Sequence, residues 1–288
     1  MIQILVPTDL TLDARPGIRF SIQWSKQEKV HLIFAYVLYI PRLTRWNDAQ
    51  YKRFASSERE RAQRALERMI ADIYRQMGQP AAGYTCEVIE GVMAETSLLD
   101  YCRVHPEIDQ ICMGTHGATG ISQLFGTHAG NILAQSGIPV VVVPKGYRTK
   151  PIISLLFASE LRDYEEELDR VAVLARRLKA SLTVLHIKGI EERTVDEDII
   201  GKVLSDQCDY PVRVRCVLED ETRSMTTNLR KQIHAIRPSL AVLFTRQERT
   251  IFEKMFLTST AERLAFGAPV PLLVAARKTV HDEVHSNY

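Results

Sequence analysis

The chain has 288 residues, 45% of them hydrophobic and 25% charged, enough to bury one large core or two ordinary ones. Its 37 basic and 35 acidic residues leave a net charge of +2, which argues against nucleic acid or a membrane surface as a partner. No apolar stretch reaches membrane-spanning length. The five cysteines (Cys86, Cys102, Cys112, Cys208, Cys216) are odd in number and lack CxxC spacing, so reduced core thiols are expected rather than disulfides or a zinc site.

The chain opens on MIQILVPTDL, which reads as a strand and not as a signal peptide, so a cytoplasmic protein is expected. In the first half the strand candidates are Ile2–Pro7, Val30–Leu38, Tyr84–Ile89, Ile108–Met113 and Pro139–Val143. Between them Ala14–Lys26, Trp46–Met77, Ala94–His105 and Thr127–Gln135 carry helix formers at roughly 3.6-residue spacing. Strands separated by helices in this way predict βαβ units and a parallel sheet. Within Pro41–Pro80 the cluster Arg53, Arg59, Arg61 and Arg64 is interleaved with Glu58, Glu60 and Glu67 and reads as a solvated face of a helical cover.

The pattern then restarts. Pro151–Ala158, Ser181–Ile187, Val212–Leu218, Leu240–Thr245 and Pro271–Ala275 read as strands, and Asp163–Lys179 and Thr222–Ile236 as helices. ILVPTDL at Ile4–Leu10 matches LLFASEL at Leu155–Leu161, ICMGTHG at Ile111–Gly117 matches VLFTRQE at Val242–Glu248, and IPVVVVP at Ile138–Pro144 matches VPLLVAA at Val270–Ala276. An internal duplication of about 140 residues per unit is expected, a usual domain size. The expected domains are 1–146 and 151–278, joined by the polar Lys145–Pro151 and followed by a tail, 279–288.

Four glycines, Gly114, Gly117, Gly120 and Gly126, lie between the fourth strand and a helix opening at Thr127. Backbone N–H groups in such a loop can close around an anion. If the strand order is 3-2-1-4-5, the first and fourth strands are neighbours and Asp9 faces the same crevice. Asp is also a preferred helix N-cap, so Asp9 has that alternative role. His116 and His128 read as loop polarity or phosphate-facing donors rather than as metal ligands. There is no GxxxxGK[ST] and no base poised beside a nucleophile, so binding is better supported than catalysis.

VPTDL at the end of strand one, G-x-x-G followed by a glycine–threonine pair opening the last helix, and the closing valine-rich strand resemble the universal stress protein family, in its tandem two-domain form. The resemblance covers Met1–Pro144 closely and Pro151–Ala276 in outline. It implies two Rossmann-like, doubly wound α/β domains with five-stranded parallel sheets of order 3-2-1-4-5, docked by pseudo-twofold symmetry. It implies a stress-response protein holding ATP or a related adenine nucleotide, with Mg carried by the phosphates. Asp9, with Pro7 and Thr8 beside it, and Val37 would hold the adenosine. Gly114, Gly117, Gly126 and Thr127 would hold the phosphates, with Met113, His116 and His128 alongside.

One departure is that Ala118–Phe125 places eight residues between the second and third glycines, where the family pattern has nine. The second half departs further: Asp9 aligns with Glu160, Gly114 with Thr245, Gly117 with Glu248, and Gly126–Thr127 with Thr258–Ser259. Glu248 beside a phosphate, at about 4 Å, would cost on the order of 1 kcal/mol in water and roughly 4 at an effective dielectric near 20. A helix N-terminus returns only about 0.3–1 kcal/mol. The second domain is therefore expected to bind no nucleotide and to act as a structural partner. Val140–Val143 and Leu272–Ala275 would be exposed apolar edges unless they paired with each other. Association of whole chains into a homodimer is compatible with this pattern. The competing readings are a slow Mg-dependent ATPase and a scaffold that binds no nucleotide.

Overall fold

Continuous apolar runs such as Ile4–Val6 and Val140–Val143 fit strands covered on both faces, and that is where the chain puts them. The computed structural model describes residues 1–114, 138–191, 196–245 and 270–276. In chain order the elements are β1 (Ile2–Pro7), α1 (Arg15–Ser25), β2 (Val30–Leu38), α2 (Asp48–Gln76), β3 (Tyr84–Glu90), α3 (Ala94–Val104), β4 (Gln110–Gly114) and β5 (Val140–Val143). They continue with β6 (Ser154–Ala158), α4 (Glu165–Leu178), β7 (Ser181–Lys188), α5 (Glu197–Cys208), β8 (Val212–Leu218), α6 (Met225–Ile236), β9 (Leu240–Thr245) and β10 (Leu272–Ala276). A 3-10 turn, Leu12–Ala14, precedes α1.

The strands form one ten-stranded sheet of order β3-β2-β1-β4-β5-β10-β9-β6-β7-β8. Read outward from the middle, each half has the order 5-4-1-2-3, all parallel within the half. At the centre β5 and β10 run antiparallel, with Leu272 opposite Val142, Leu273 opposite Val141 and Val274 opposite Val140. The four valines of β5 are at most 2% exposed. Burying each contributes about 2 kcal/mol relative to leaving it in water.

Side chains alternate across the sheet. Ile4 and Val6 of β1 pack with Ile18 of α1 and with Leu66 and Ile70 of α2, while Leu5 joins Leu98 and Leu99 of α3 on the opposite face. The outer strand β8 alternates buried Val212 and Val214 with exposed Arg213 and Arg215, a charged edge that discourages further pairing.

The two halves are also clasped along α1. Gln27, just past its end, accepts from the Ile152 N–H through Oε1 (2.7 Å) and donates from Nε2 to the Ile152 carbonyl (2.9 Å). Next to it the Glu28 carboxylate, 9% exposed, meets Arg177 of α4 and accepts from the Trp24 indole N–H at 2.9 Å. The connecting segment lies against the same helix and the turn before it: Lys145 pairs with Asp13 of the 3-10 turn at 2.9 Å, and Tyr147 packs edge-on to Phe20 of α1 at 5.5 Å.

Most element boundaries agree with the hydrophobic pattern, but α5 (Glu197–Cys208) is a helix that the reading of the second half does not contain, and two boundaries shift instructively. β4 begins at Gln110 and includes Gly114, so this glycine is the last residue of the strand rather than the first of the loop. Helix α6 starts at Met225, after Ser224, whose hydroxyl accepts from the Thr227 N–H at its N-terminus.

Candidate functional site

The crevice lies at the carboxyl ends of β1, β2 and β4. Pro7 ends β1 with its side chain buried. Thr8 extends the pairing by one bond, its N–H donating to the Ala35 carbonyl at 2.8 Å. The Thr8 hydroxyl then accepts from the Leu10 N–H (3.1 Å), which holds Leu10 at φ +63°. That left-handed conformation is unusual for a branched side chain and turns the chain sharply away from the sheet.

Asp9 sits at this turn, half-buried. Its Oδ1 accepts from both the backbone N–H (2.9 Å) and the hydroxyl (2.6 Å) of Thr11. Its Oδ2 is buried and has no hydrogen-bond partner among the described residues. Asp9 is not the cap of the following helix. Thr11 caps the 3-10 turn, its hydroxyl accepting from the Asp13 N–H at 3.3 Å, and α1 follows Ala14, which makes no side-chain cap. The carboxylate is therefore fixed through one oxygen, while the other is buried without a donor among the described residues.

Gly114 faces this turn from β4. The register Leu5–Ile111 places it level with Thr8. A Cβ on Gly114 would lie 2.7 Å from the Asp13 carbonyl oxygen, and one on Gly17 would lie 2.7 Å from the Gly114 nitrogen and 2.9 Å from the Met113 carbonyl carbon. Helix α1 thus touches β4 backbone to backbone, and both glycines are required by packing alone. Met113 is 1% exposed, its side chain committed to the core under α3, which leaves its backbone for the crevice. Val37 is half-buried near the end of β2, opposite Ile89 of β3. His116, Gly117, Gly126, Thr127 and His128 lie outside the described residues, as do Glu248, Thr258 and Ser259 of the second half.

Motif spacing does not reveal several neighbours of this crevice. No lysine or arginine occurs between Gly114 and Pro144, but Lys145 comes immediately after and reaches Asp13. Arg15, at the start of α1, has a buried Nε without a partner among the described residues. Gly17 is legible in principle, because a glycine inside a helix costs about 1 kcal/mol against alanine and so signals a close approach. Beneath it, burial pushes the Cys112 thiol up to about 12, partly opposed by a hydrogen bond with Ser21, and Cys112 Sγ donates to the Gly17 carbonyl at 3.7 Å. All five cysteines are free thiols.

In the second half the same turn recurs with other side chains. Ser159 donates its N–H to the Leu185 carbonyl (3.0 Å), and its hydroxyl accepts from the N–H of Leu161 (3.1 Å), which has φ +55°. Glu160 stands where Asp9 does and is exposed. The register corrects the alignment by one residue. Leu156 pairs with Ala241 as Leu5 pairs with Ile111, so Phe244, not Thr245, is the counterpart of Gly114. The Phe244 ring meets Phe157 at 5.7 Å and lies under the Arg170 guanidinium at 4.9 Å.

Among the described residues no helix is long and apolar enough to cross a membrane, and no group of three or more His, Cys, Asp or Glu could hold a metal ion. No curated protein matches the sequence. Among solved structures, the chain is similar to a universal stress protein from Archaeoglobus fulgidus DSM 4304, with 17% identity and a TM-score of 0.65 over 96% of this chain and 98% of that one. A candidate universal stress protein from Pseudomonas aeruginosa UCBPP-PA14 gives 11% identity and a TM-score of 0.51 over 95% and 92%. At such identities the likeness concerns the fold. The sequence model of the universal stress protein family matches residues 1–144, the half that carries β1 to β5, Asp9 and the glycine loop. The chain belongs to the universal stress protein family.

Proposed function

We propose that the protein is a cytoplasmic stress-response regulator that binds one adenine nucleotide, ATP or a close relative, at the crevice of its first domain (1–146). The observation that carries this reading is the buried, unpartnered Oδ2 of Asp9 beside an Oδ1 already satisfied by Thr11. Leaving such an oxygen unpaired costs about 1–3 kcal/mol or more. A ribose hydroxyl is a donor of the right kind. Val37 offers backbone groups to the base, and Gly114 with Gly117, Gly126, Thr127 and the neighbouring His116 and His128 would take the phosphates. Mg would be held through the phosphates.

The second domain (151–278) serves in this reading as a structural partner without a nucleotide. Exposed Glu160 replaces the fixed carboxylate, and the Phe244 ring stands at the level where Gly114 has no side chain. Regulation would pass along α1, whose start lies against Gly114 and whose end is held by Ile152 and Arg177. A slow Mg-dependent ATPase is the second reading, favoured by the cationic residues Lys145, which pairs with Asp13, and Arg15, at the start of α1.

The test is to extract and quantify copurifying nucleotide, then to titrate ATP with Mg²⁺ by calorimetry. One equivalent per chain, lost in Gly117→Glu and weakened at least tenfold in Asp9→Ala, is expected. Two equivalents would overturn the non-binding second domain, and no binding would favour a scaffold. Metal-dependent ADP production lost in Lys145→Ala would identify the enzyme.

A further inference from the structure

The long helix α2 bounds a second concavity, on the opposite face of β2 from Val37. Its inward stripe is Ala62, Leu66, Ile70 and Ile73, all buried. Leucine and isoleucine fill three of these positions, whereas Ala62 leaves its place short. Beneath it, Leu10, Tyr36 and Leu38 remain half-buried at the strand ends. The result is a groove of about 490 Å³ with an apolar floor.

Its rim is basic. Arg61, Arg64 and Arg68 line it, and Glu58 is the one carboxylate among the lining residues. Spacings of three and four bring these guanidinium groups onto one helix face, where like charges work against the helix. Arg61 pairs with Glu58 at 2.8 Å, and Arg64 reaches Glu60 only at 3.5 Å, with both side chains more than half exposed. Arg68 forms no ion pair among the described residues and donates through Nε to the Arg64 carbonyl at 3.0 Å. Exposed pairs of this kind hold their partners weakly and exchange readily for an incoming anion.

We propose that this groove binds a small amphipathic anion, with a carboxylate or phosphate head among Arg61, Arg64 and Arg68 and an apolar body on Leu10, Tyr36 and Leu38. Guanidinium forks suit either head group, and the space beside Ala62 accepts the body. The site does not depend on the nucleotide reading. Tyr36 and Leu10 pack with the α1–α2 core, while Val37 packs with the α3 core on the other face.

The test is calorimetric titration of the full chain with sodium decanoate, decyl phosphate, decanol and inorganic phosphate. One equivalent of decanoate or decyl phosphate should bind, at least tenfold tighter than decanol or inorganic phosphate, and the tighter of the two identifies the head. Raising the salt concentration should weaken it. Arg64→Gln with Arg68→Gln should weaken it at least tenfold, and Ala65→Leu at the mouth should block the body. Arg53→Gln, on the same helix but outside the groove, should leave binding unchanged. Unfolding midpoints confirm that each variant is folded. Equal binding of decanol, equal binding of inorganic phosphate, indifference to the arginine pair, or displacement by ATP would each overturn the proposal.

Discussion

At the ends of β1 and β6 the backbone does the same thing twice. Thr8 and Ser159 each accept from the residue two positions on, and Leu10 and Leu161 each take a left-handed conformation. The surroundings of the two turns differ. In the first half Asp9 is gripped by Thr11, and two glycines let α1 rest on the end of β4. In the second half Glu160 faces solvent, α4 contains no glycine, and Phe244 fills the equivalent position. The same turn is therefore built in both halves although the arrangement beside it differs. The turn is kept by its own local hydrogen bonds, and the backbone contact needs glycines from two distant segments at once.

Gly17→Ala carries the largest expected effect. In an ordinary helix interior the change stabilises by about 1 kcal/mol. Here the new Cβ meets backbone atoms of Met113 and Gly114. A destabilisation of about 2–3 kcal/mol is expected from overpacking, read as a lower urea midpoint. A more stable variant would show that the close approach does not constrain the site.

The clasp between the halves gives the next effect. Gln27→Ala leaves the Ile152 N–H and carbonyl without their side-chain partner and should cost about 1–3 kcal/mol. If the halves depend on each other, fluorescence and circular dichroism should report one transition in the wild type. Two separate transitions in the wild type would argue that the clasp carries no coupling.

Asp9→Ala and Glu160→Ala test the two turns directly. The first should weaken nucleotide binding at least tenfold, about 1.4 kcal/mol, and the second should leave it unchanged. Equal effects would make the two turns functionally alike.

The smallest effect concerns Cys112, whose register counterpart in the second half is Val242. Burial raises this thiol from 9.0 to about 12, so the folded state favours the neutral form. Its contribution to stability is whole below the unfolded value near 9 and fades as pH climbs from there toward 12. Cys112→Val should change stability at pH 7 by less than about 1.5 kcal/mol and remove that part of the alkaline loss. In the native wild type at pH 8, Cys112 should resist iodoacetamide, and rapid labelling seen by mass spectrometry would contradict the burial.

The sequence is explicit wherever the physics is local. Four consecutive valines announce a strand covered on both faces, and they form β5. The Asn47–Gln50 capping box opens α2 as its residue types allow, although an asparagine and a glutamine three apart are too common to single it out beforehand. Gly114 is legible as a special position but for an incomplete reason. It looks like part of an anion cradle, whereas the Asp13 carbonyl already occupies the space a side chain would need. The one-residue error in pairing Gly114 with Thr245 has the same origin. Matching apolar letters aligns two strands to within a residue, and only the hydrogen-bond register selects between neighbours.

The alternation of strands and helices, and its recurrence in the second half, can be read from the residues alone, because hydrophobic period and turn chemistry are written within a few consecutive residues. Packing alone places α1 on β4 through Gly17, leaves one buried oxygen of Asp9 without a partner among the described residues, sets β5 beside β10, and brings Arg61, Arg64 and Arg68 to the rim of one groove. Each of these depends on contact between segments far apart in the chain, where steric fit and unsatisfied polar groups appear only after packing.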